Sequence, residues 1–199
     1  MSESTKSHYG DNDVERILFS EDDIQTCVKE MGARITEDYA QVAYDKTPDG
    51  LPSVLVLSVL RGAAIFMTDL VRAIDLPLET EYMVVSSYGA GTTSSGVVRI
   101  LKDITSSVEG RHVIIAEDVL DSGLTLKSLI RIIESRNPAS VKVAAMIRKE
   151  NPKQADIELA YTGFECPNEF IVGYGLDYAE NYRNLPYIGV LKPEVYQGK

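Results

Sequence analysis

The stretch V-I-I-A-E-D-V-L-D-S-G-L-T, residues 113–125, places three carboxylates beside a small hydroxyl-bearing turn. A β-branched apolar run ends in the adjacent acids Glu117 and Asp118, and Asp121 follows. Ser122, Gly123, Leu124 and Thr125 then lead into Leu126, Leu129, Ile130 and Ile133, apolar residues at helical spacing. The run reads as a buried strand and the continuation as a helix. The turn between them therefore lies where ligands of open α/β sheets bind, beyond a strand's carboxyl end. Free backbone N–H groups at a helix start attract phosphate, and Gly123 lets the backbone approach it closely. The Ser122 and Thr125 hydroxyls can donate to the same oxygens. Glu117 and Asp118 repel phosphate, so they need a different partner. Ribose hydroxyls, met directly or through Mg²⁺, suit them. The pattern points to a phosphorylated ribose; it is neither the Walker lysine loop nor the dinucleotide glycine fingerprint.

Those residues need a scaffold to hold them. The chain has 199 residues, 44% of them hydrophobic, enough for one globular domain with an extra lobe. Strand and helix patterns alternate along it. A long helix is expected over residues 21–44, where Ile24, Val28, Met31, Ile35, Tyr39 and Val42 recur every three or four positions. Strands are expected at 54–59, 82–86, 97–102, 113–116 and 141–147, with helices at 63–74 and 125–135. Residues 152–199 read as looser, with short strands at 170–172 and 188–191. Such alternation implies an α/β fold, a mostly parallel sheet with helices on both faces.

Composition narrows the partners. A net charge of −10 argues against nonspecific binding to nucleic acid or to an anionic membrane. No apolar run approaches a membrane span, and no signal peptide is seen, so the reduced cytosol is the expected compartment. Cys27 and Cys166 are the two cysteines, far apart and without a C-x-x-C pattern. His8 and His112 show no ligand or nucleophile partner in the sequence.

Four further segments could carry chemistry. Residues 58–62, S-V-L-R-G, again follow a strand and precede a helix, and read as a second anion site built from the backbone of Arg61 and Gly62. Residues 86–96 form a polar, glycine-rich loop in which Ser87 and Tyr88 could close over a leaving group. Lys149 follows a strand on the same side as the acids. Residues 170–183, F-I-V-G-Y-G-L-D-Y-A-E-N-Y-R, combine an aromatic face, Asp177 and Arg183, which suits a base, a metal ion and a pyrophosphate.

The anchors are L-R-G at 60–62, Ser87-Tyr88, E-D-V-L-D-S-G-L-T at 117–125, Lys149, F-I-V-G-Y-G-L-D-Y at 170–178, and Arg183. In order and spacing they resemble the hypoxanthine-guanine phosphoribosyltransferases, particularly the bacterial form, within the type I phosphoribosyltransferase family. The resemblance covers residues 15–191, roughly the whole chain. It implies one domain over 1–199, with a core at about 36–165 and a small hood lobe from about 1–20 plus 166–199. It implies transfer from phosphoribosyl pyrophosphate (PRPP) to hypoxanthine or guanine, giving IMP or GMP and pyrophosphate, with Mg²⁺ required. The family often forms homodimers or homotetramers.

The same resemblance distributes roles. Glu117 and Asp118 would hold the ribose hydroxyls, and Asp121, Ser122, Gly123, Leu124 and Thr125 would cradle the 5′-phosphate. Asp121 would also be the catalytic group, taking the proton from purine N7. Leu60, Arg61 and Gly62, joined by a non-proline cis peptide, and Arg183 would receive pyrophosphate. Lys149 would face the 6-oxo group, Phe170 would stack on the base, and Ile171, Val172 and Asp177 would complete the purine side. Glu117, Asp118 and Asp177 would serve the metal. Arg61 stands where the family usually has lysine, Ser122 replaces a frequent threonine, and Glu150-Asn151-Pro152 is less basic than the family pattern. A xanthine-preferring enzyme, a regulatory PRPP-binding module and a purely structural domain are the competing readings.

Overall fold

The computed structural model describes residues 8–87 and 98–197. A 3₁₀ turn at Asp11–Asp13 opens the described chain, and β1 (Val14–Phe19) follows. Next come α1 (Glu21–Tyr39), β2 (Val54–Val59), α2 (Ala64–Ala73), β3 (Glu79–Ser87) and β4 (Val98–Lys102). Then follow β5 (His112–Leu120), α3 (Leu124–Glu134), β6 (Ser140–Lys149) and β7 (Tyr161–Cys166). The chain ends in β8 (Ile171–Val172), β9 (Ile188–Leu191) and α4 (Pro193–Tyr196).

Six strands form the main sheet in the order β4-β3-β2-β5-β6-β7, all parallel except for the antiparallel edge strand β4. The alternation of side chains along the central strands separates two cores. Val54, Val56, Ile114 and Ala116 face α1 and α2, meeting Ile24, Met31, Phe66 and Leu70. Leu55, Leu57, Val113 and Ile115 face α3, meeting Leu126, Leu129 and Ile133. Both faces are therefore covered, as parallel strands require. A second sheet, β1-β9-β8, is antiparallel and joins the two ends of the chain.

Strand order fixes where a ligand can enter. From β2 the chain crosses to β3 on one side, while β5 lies on the other. The order reverses between β2 and β5, and the crevice beyond their carboxyl ends is the topological switch point. The loop after β2 holds Leu60–Gly62, and the end of β5 holds the acids.

Several elements differ from the sequence expectation. Helix α1 stops at Tyr39, and residues 40–44 continue as turns, held by the Ala43 N–H on the Tyr39 carbonyl at 2.9 Å. β5 runs through Leu120 and β6 through Lys149, so the acids lie within the strand's end rather than after it. β1 was not anticipated, because Glu15 and Arg16 interrupt its apolar residues. β7 was missed within the looser region. Gly163 has no side chain to signal a strand, yet a Cβ there would lie 2.4 Å from the Met146 carbonyl oxygen on the neighbouring strand.

Arg111 anchors the entry to β5. Its guanidinium is 1% exposed, pairs with Glu79 at 2.8 Å and donates through Nε to the Pro52 carbonyl at 2.9 Å and through Nη1 to the Ser107 carbonyl at 3.2 Å. Glu79 also accepts from the Ser106 hydroxyl. Removing one partner of a buried pair leaves the other desolvated. Arg111→Ala is therefore expected to lower unfolding free energy by about 3–5 kcal/mol in a denaturant titration. A loss below about 1 kcal/mol, the range of exposed pairs, would contradict this account.

Candidate active site

At the switch point Leu60–Arg61 is a cis peptide, and the chain then turns into α2. Gly62 lies directly against Asp118, and a Cβ there would be 1.8 Å from Asp118 Oδ2. A Cβ on Gly175 would be 2.1 Å from the Gly62 carbonyl oxygen. Three segments distant in sequence are thus stacked with no side chain between them: the β5 end, the loop after β2 and the turn after β8. That turn is tied to the core by the Tyr174 hydroxyl, which donates to Asp69 on α2 at 2.8 Å.

A cavity of about 340 Å³ opens here. Gly62, Asp118, Val119, Lys149, Phe170, Ile171, Leu176, Asp177 and Arg183 line it. A smaller hollow of about 160 Å³ adjoins it along Val119, lined by Glu117, Asp121, Ser122, Gly123, Thr125 and their neighbours. Helix α3 starts from Gly123 at φ 71° with no side-chain cap, so its first N–H groups face this hollow without a capping hydroxyl. Leu124 is the first residue of that helix. A larger cavity of about 550 Å³ lies beside β1 and Tyr187, but none of the expected site residues lines it. Chemistry rather than size selects the first two.

The acids are held under electrostatic stress. Burial, followed by the Asp118 charge, pushes the Glu117 carboxyl well above the usual carboxylate range. Asp118 is raised too, chiefly by burial, although the Val119 N–H at 2.8 Å and the Arg183 charge favour its ionised form. Asp177 adds a like charge that raises it further. Across the cavity, Arg183 Nη2 meets Asp177 at 2.7 Å and Glu180 at 3.3 Å, while Nη1 donates to the Gly175 carbonyl at 2.8 Å. Its Nε is buried and has no hydrogen-bond partner. A buried donor left unpaired beside a cavity is one that an anionic ligand oxygen can satisfy.

Lys149 stands at the junction of the two hollows. Its side chain is 13% exposed and its Nζ lies 3.8 Å from Asp121 Oδ2. Phe170 is half exposed, stacked on Tyr196 with centroids 4.7 Å apart, and met edge-on by Tyr178 at 5.6 Å.

Most of the residues singled out from sequence meet at these two hollows, and some are arranged differently from expectation. Val172 does not line the base side; it turns into the core of the small sheet with Leu185 and Tyr187, because strand alternation sends Ile171 the other way. The Arg61 side chain points out to Glu180 at 2.8 Å, so of the 60–62 loop Gly62 alone lines the cavity. Ser87 ends β3 opposite Val98, while Tyr88 lies outside the described residues. His112 does have a partner, since its Nδ1 is 2.8 Å from the Ser140 hydroxyl. Asn151, Gln154 and Glu180 were missed as site residues. The Asn-Pro turn signal at 151–152 was the available hint.

The donor set also bears on the metal. Among the described residues no three His, Cys, Asp or Glu side chains gather into a cage, so Glu117, Asp118 and Asp177 do not form the joint cluster that was expected. Asp177 is instead engaged by Arg183 and by the Glu180 N–H at 2.9 Å. Mg²⁺ tolerates such a sparse protein set, because it keeps waters and takes substrate phosphate oxygens alongside one or two carboxylates. The acids present fit a metal that arrives with its ligand.

Comparison with known proteins agrees with this geometry. A model of the phosphoribosyl transferase domain matches residues 28–179. The hypoxanthine-guanine phosphoribosyltransferase of Bacillus subtilis (strain 168) is 50% identical over 186 residues, covering 94% of this chain and 98% of that protein. The protein of the same name from Mycobacterium tuberculosis (strain ATCC 25618 / H37Rv) is 50% identical over 185 residues, covering 93% of this chain and 90% of that one. Among solved structures, a hypoxanthine phosphoribosyltransferase from Staphylococcus aureus superposes with a TM-score of 0.88 at 45% identity, covering 96% of this chain and 99% of that one.

The stressed acids make a testable contribution to stability. A carboxyl whose folded-state pKa is raised favours folding when protonated, and that contribution is lost as pH rises through the raised value. Glu117→Gln removes the charge. Its melting temperature should exceed that of the unmodified protein at about pH 8, with the margin closing as pH falls to about 4.5. A melting temperature below that of the unmodified protein across this range would mean that Glu117 is not strained by its surroundings.

Proposed function

Because the chain belongs to the phosphoribosyl transferase family, we propose that it moves the 5-phosphoribosyl group from PRPP to hypoxanthine or guanine, releasing pyrophosphate and forming IMP or GMP. One observation carries the choice of base: Lys149 Nζ and Asp121 Oδ2 stand 3.8 Å apart at the junction of the two hollows. A 6-oxopurine presents its O6 and N7 side by side on one edge. Lys149 has donors only and meets O6; the Asp121 carboxylate accepts the proton carried by N7. Adenine would turn an amino donor toward the ammonium and leave both unpaired.

The remaining residues divide the substrate among them. The open N–H groups of α3, with Ser122 and Thr125, take the 5′-phosphate. Glu117 and Asp118 take the ribose hydroxyls, and their charge stabilises the positive ribose ring that develops as the C1′–oxygen bond breaks. The electron pair of that bond leaves with pyrophosphate, received by Arg183, whose Nε lacks a partner, and by the backbone at Gly62. Purine N9 forms the new bond to C1′ while the N7 proton passes to Asp121. Phe170 offers the stacking face. Asp118 and Asp177, which line one cavity, would hold Mg²⁺, with Glu117 beside Asp118 on β5, and the metal would supply charge neutralisation when bound.

We read the whole chain as one such domain, with the β1-β9-β8 sheet as its hood. Among the described residues no helix is long and apolar enough to cross a membrane. Both cysteines are free, which suits the reducing cytoplasm. The family resemblance supports a homodimer or homotetramer.

The test is direct. The protein is incubated with PRPP, Mg²⁺ and each of hypoxanthine, guanine, xanthine and adenine, and products are separated by chromatography. IMP and GMP should form, and AMP should form at least about a hundred-fold more slowly. Asp121→Asn should slow nucleotide formation by about 10²–10⁴ while PRPP affinity changes little. Efficient AMP synthesis would overturn the role of Lys149, and unchanged turnover in Asp121→Asn would overturn that of Asp121.

A further inference from the structure

We propose that Asn151 is a positioning residue for Asp121, fixing which carboxylate oxygen faces the base. The proposal rests on the reading of Asp121 as proton acceptor. Asn151 Nδ2 donates to Asp121 Oδ1 at 2.7 Å, the distance of a strong charge-assisted bond. The amide orientation is set independently, because Asn151 Oδ1 accepts from the Lys153 N–H at 2.9 Å. With its oxygen facing a backbone donor, the amide can present only N–H to the carboxylate.

The turn that carries Asn151 is itself fastened to the phosphate loop. Gln154 Nε2 faces three carbonyls, of Leu120 at 3.1 Å, Asp121 at 2.9 Å and Lys149 at 3.1 Å. The Ala155 N–H donates to the Ser122 carbonyl at 2.8 Å. Asn151 is therefore held in register with the backbone of the residue whose side chain it grips. Asp121 needs that grip, since its side chain is 48% exposed and little else restrains its rotation. With Oδ1 committed to Asn151, Oδ2 faces Lys149, and these two atoms match the N7–O6 edge of the purine.

The test is a double-mutant cycle read by single-turnover rates of nucleotide formation, with KM for PRPP and hypoxanthine measured alongside. Asn151→Ala, retaining its melting temperature, should lower the single-turnover rate by about ten-fold, the value of a hydrogen bond to a charged group, and leave both KM values within about two-fold. Asn151→Asp, of the same shape but without the donor, should lose at least as much. In an Asp121→Asn background, Asn151→Ala should cost less than about two-fold, because the group it acts through is gone. An unchanged rate in both Asn151 variants would overturn the proposal. So would an equal loss in the two backgrounds, which marks a merely structural role. If Asp121→Asn alone left the rate unchanged, the failure would belong to the base assignment and not to Asn151.

Discussion

Two ionisable carboxylates at the end of a buried parallel strand set the terms for everything around them. β5 is central in the sheet, flanked by β2 and β6, and its preceding residues are sealed between two helical layers. A strand so placed can bring charge to its tip only into partial burial, and the raised Glu117 and Asp118 values record that cost. Gly62 and Gly175 follow from the same constraint. Gly62 must approach Asp118 without a side chain, and Gly175 must approach Gly62 in the same way, or the stack would be displaced. The site is thus an arrangement of backbone around acids, not a cage of side chains.

The cations nearby do not neutralise this cluster outright. Arg183 is divided among Asp177, Glu180 and a carbonyl, and Arg61 is turned outward to Glu180. The Arg61–Glu180 pair is largely exposed, so it contributes little to stability and can exchange for a ligand at small cost. The unpaired Nε of Arg183 and the uncapped start of α3 are donors left open at this site. An anionic substrate would fill them, and a cation brought with it would balance the acids. Negative protein charge and an anionic ligand are compatible because the donors are local and directional while the net charge is not.

Much of this was legible in residues 113–125, because a strand, an acid pair and a helix start follow one another without interruption. Local sequence order announces local structure, and strand order then carries the ligand to the switch point. What could not be read is what requires three dimensions. Val172 sits inside a recognisable motif, yet strand alternation turns it from the pocket into the hood core. β7 hid behind Gly163, whose lack of a side chain reports a contact with Met146 that exists only in the folded sheet. The metal acids were expected as a set, but Asp177 is engaged by Arg183 and by the Glu180 N–H. Asn151 and Gln154 lie about thirty residues from the carboxylate and loop they hold, and no spacing rule joins them.

Phe170 is supported from behind. Its ring is stacked on Tyr196, 19° from parallel, and Tyr196 closes α4 near the carboxyl end of the chain. One aromatic face is therefore already taken, and a heterocycle can be received on the other side alone. The final helical turn is the backing plate of that surface. Trimming the tail, or crowding it with a fusion partner, would be felt at the Phe170 ring even though the acids on β5 kept their places.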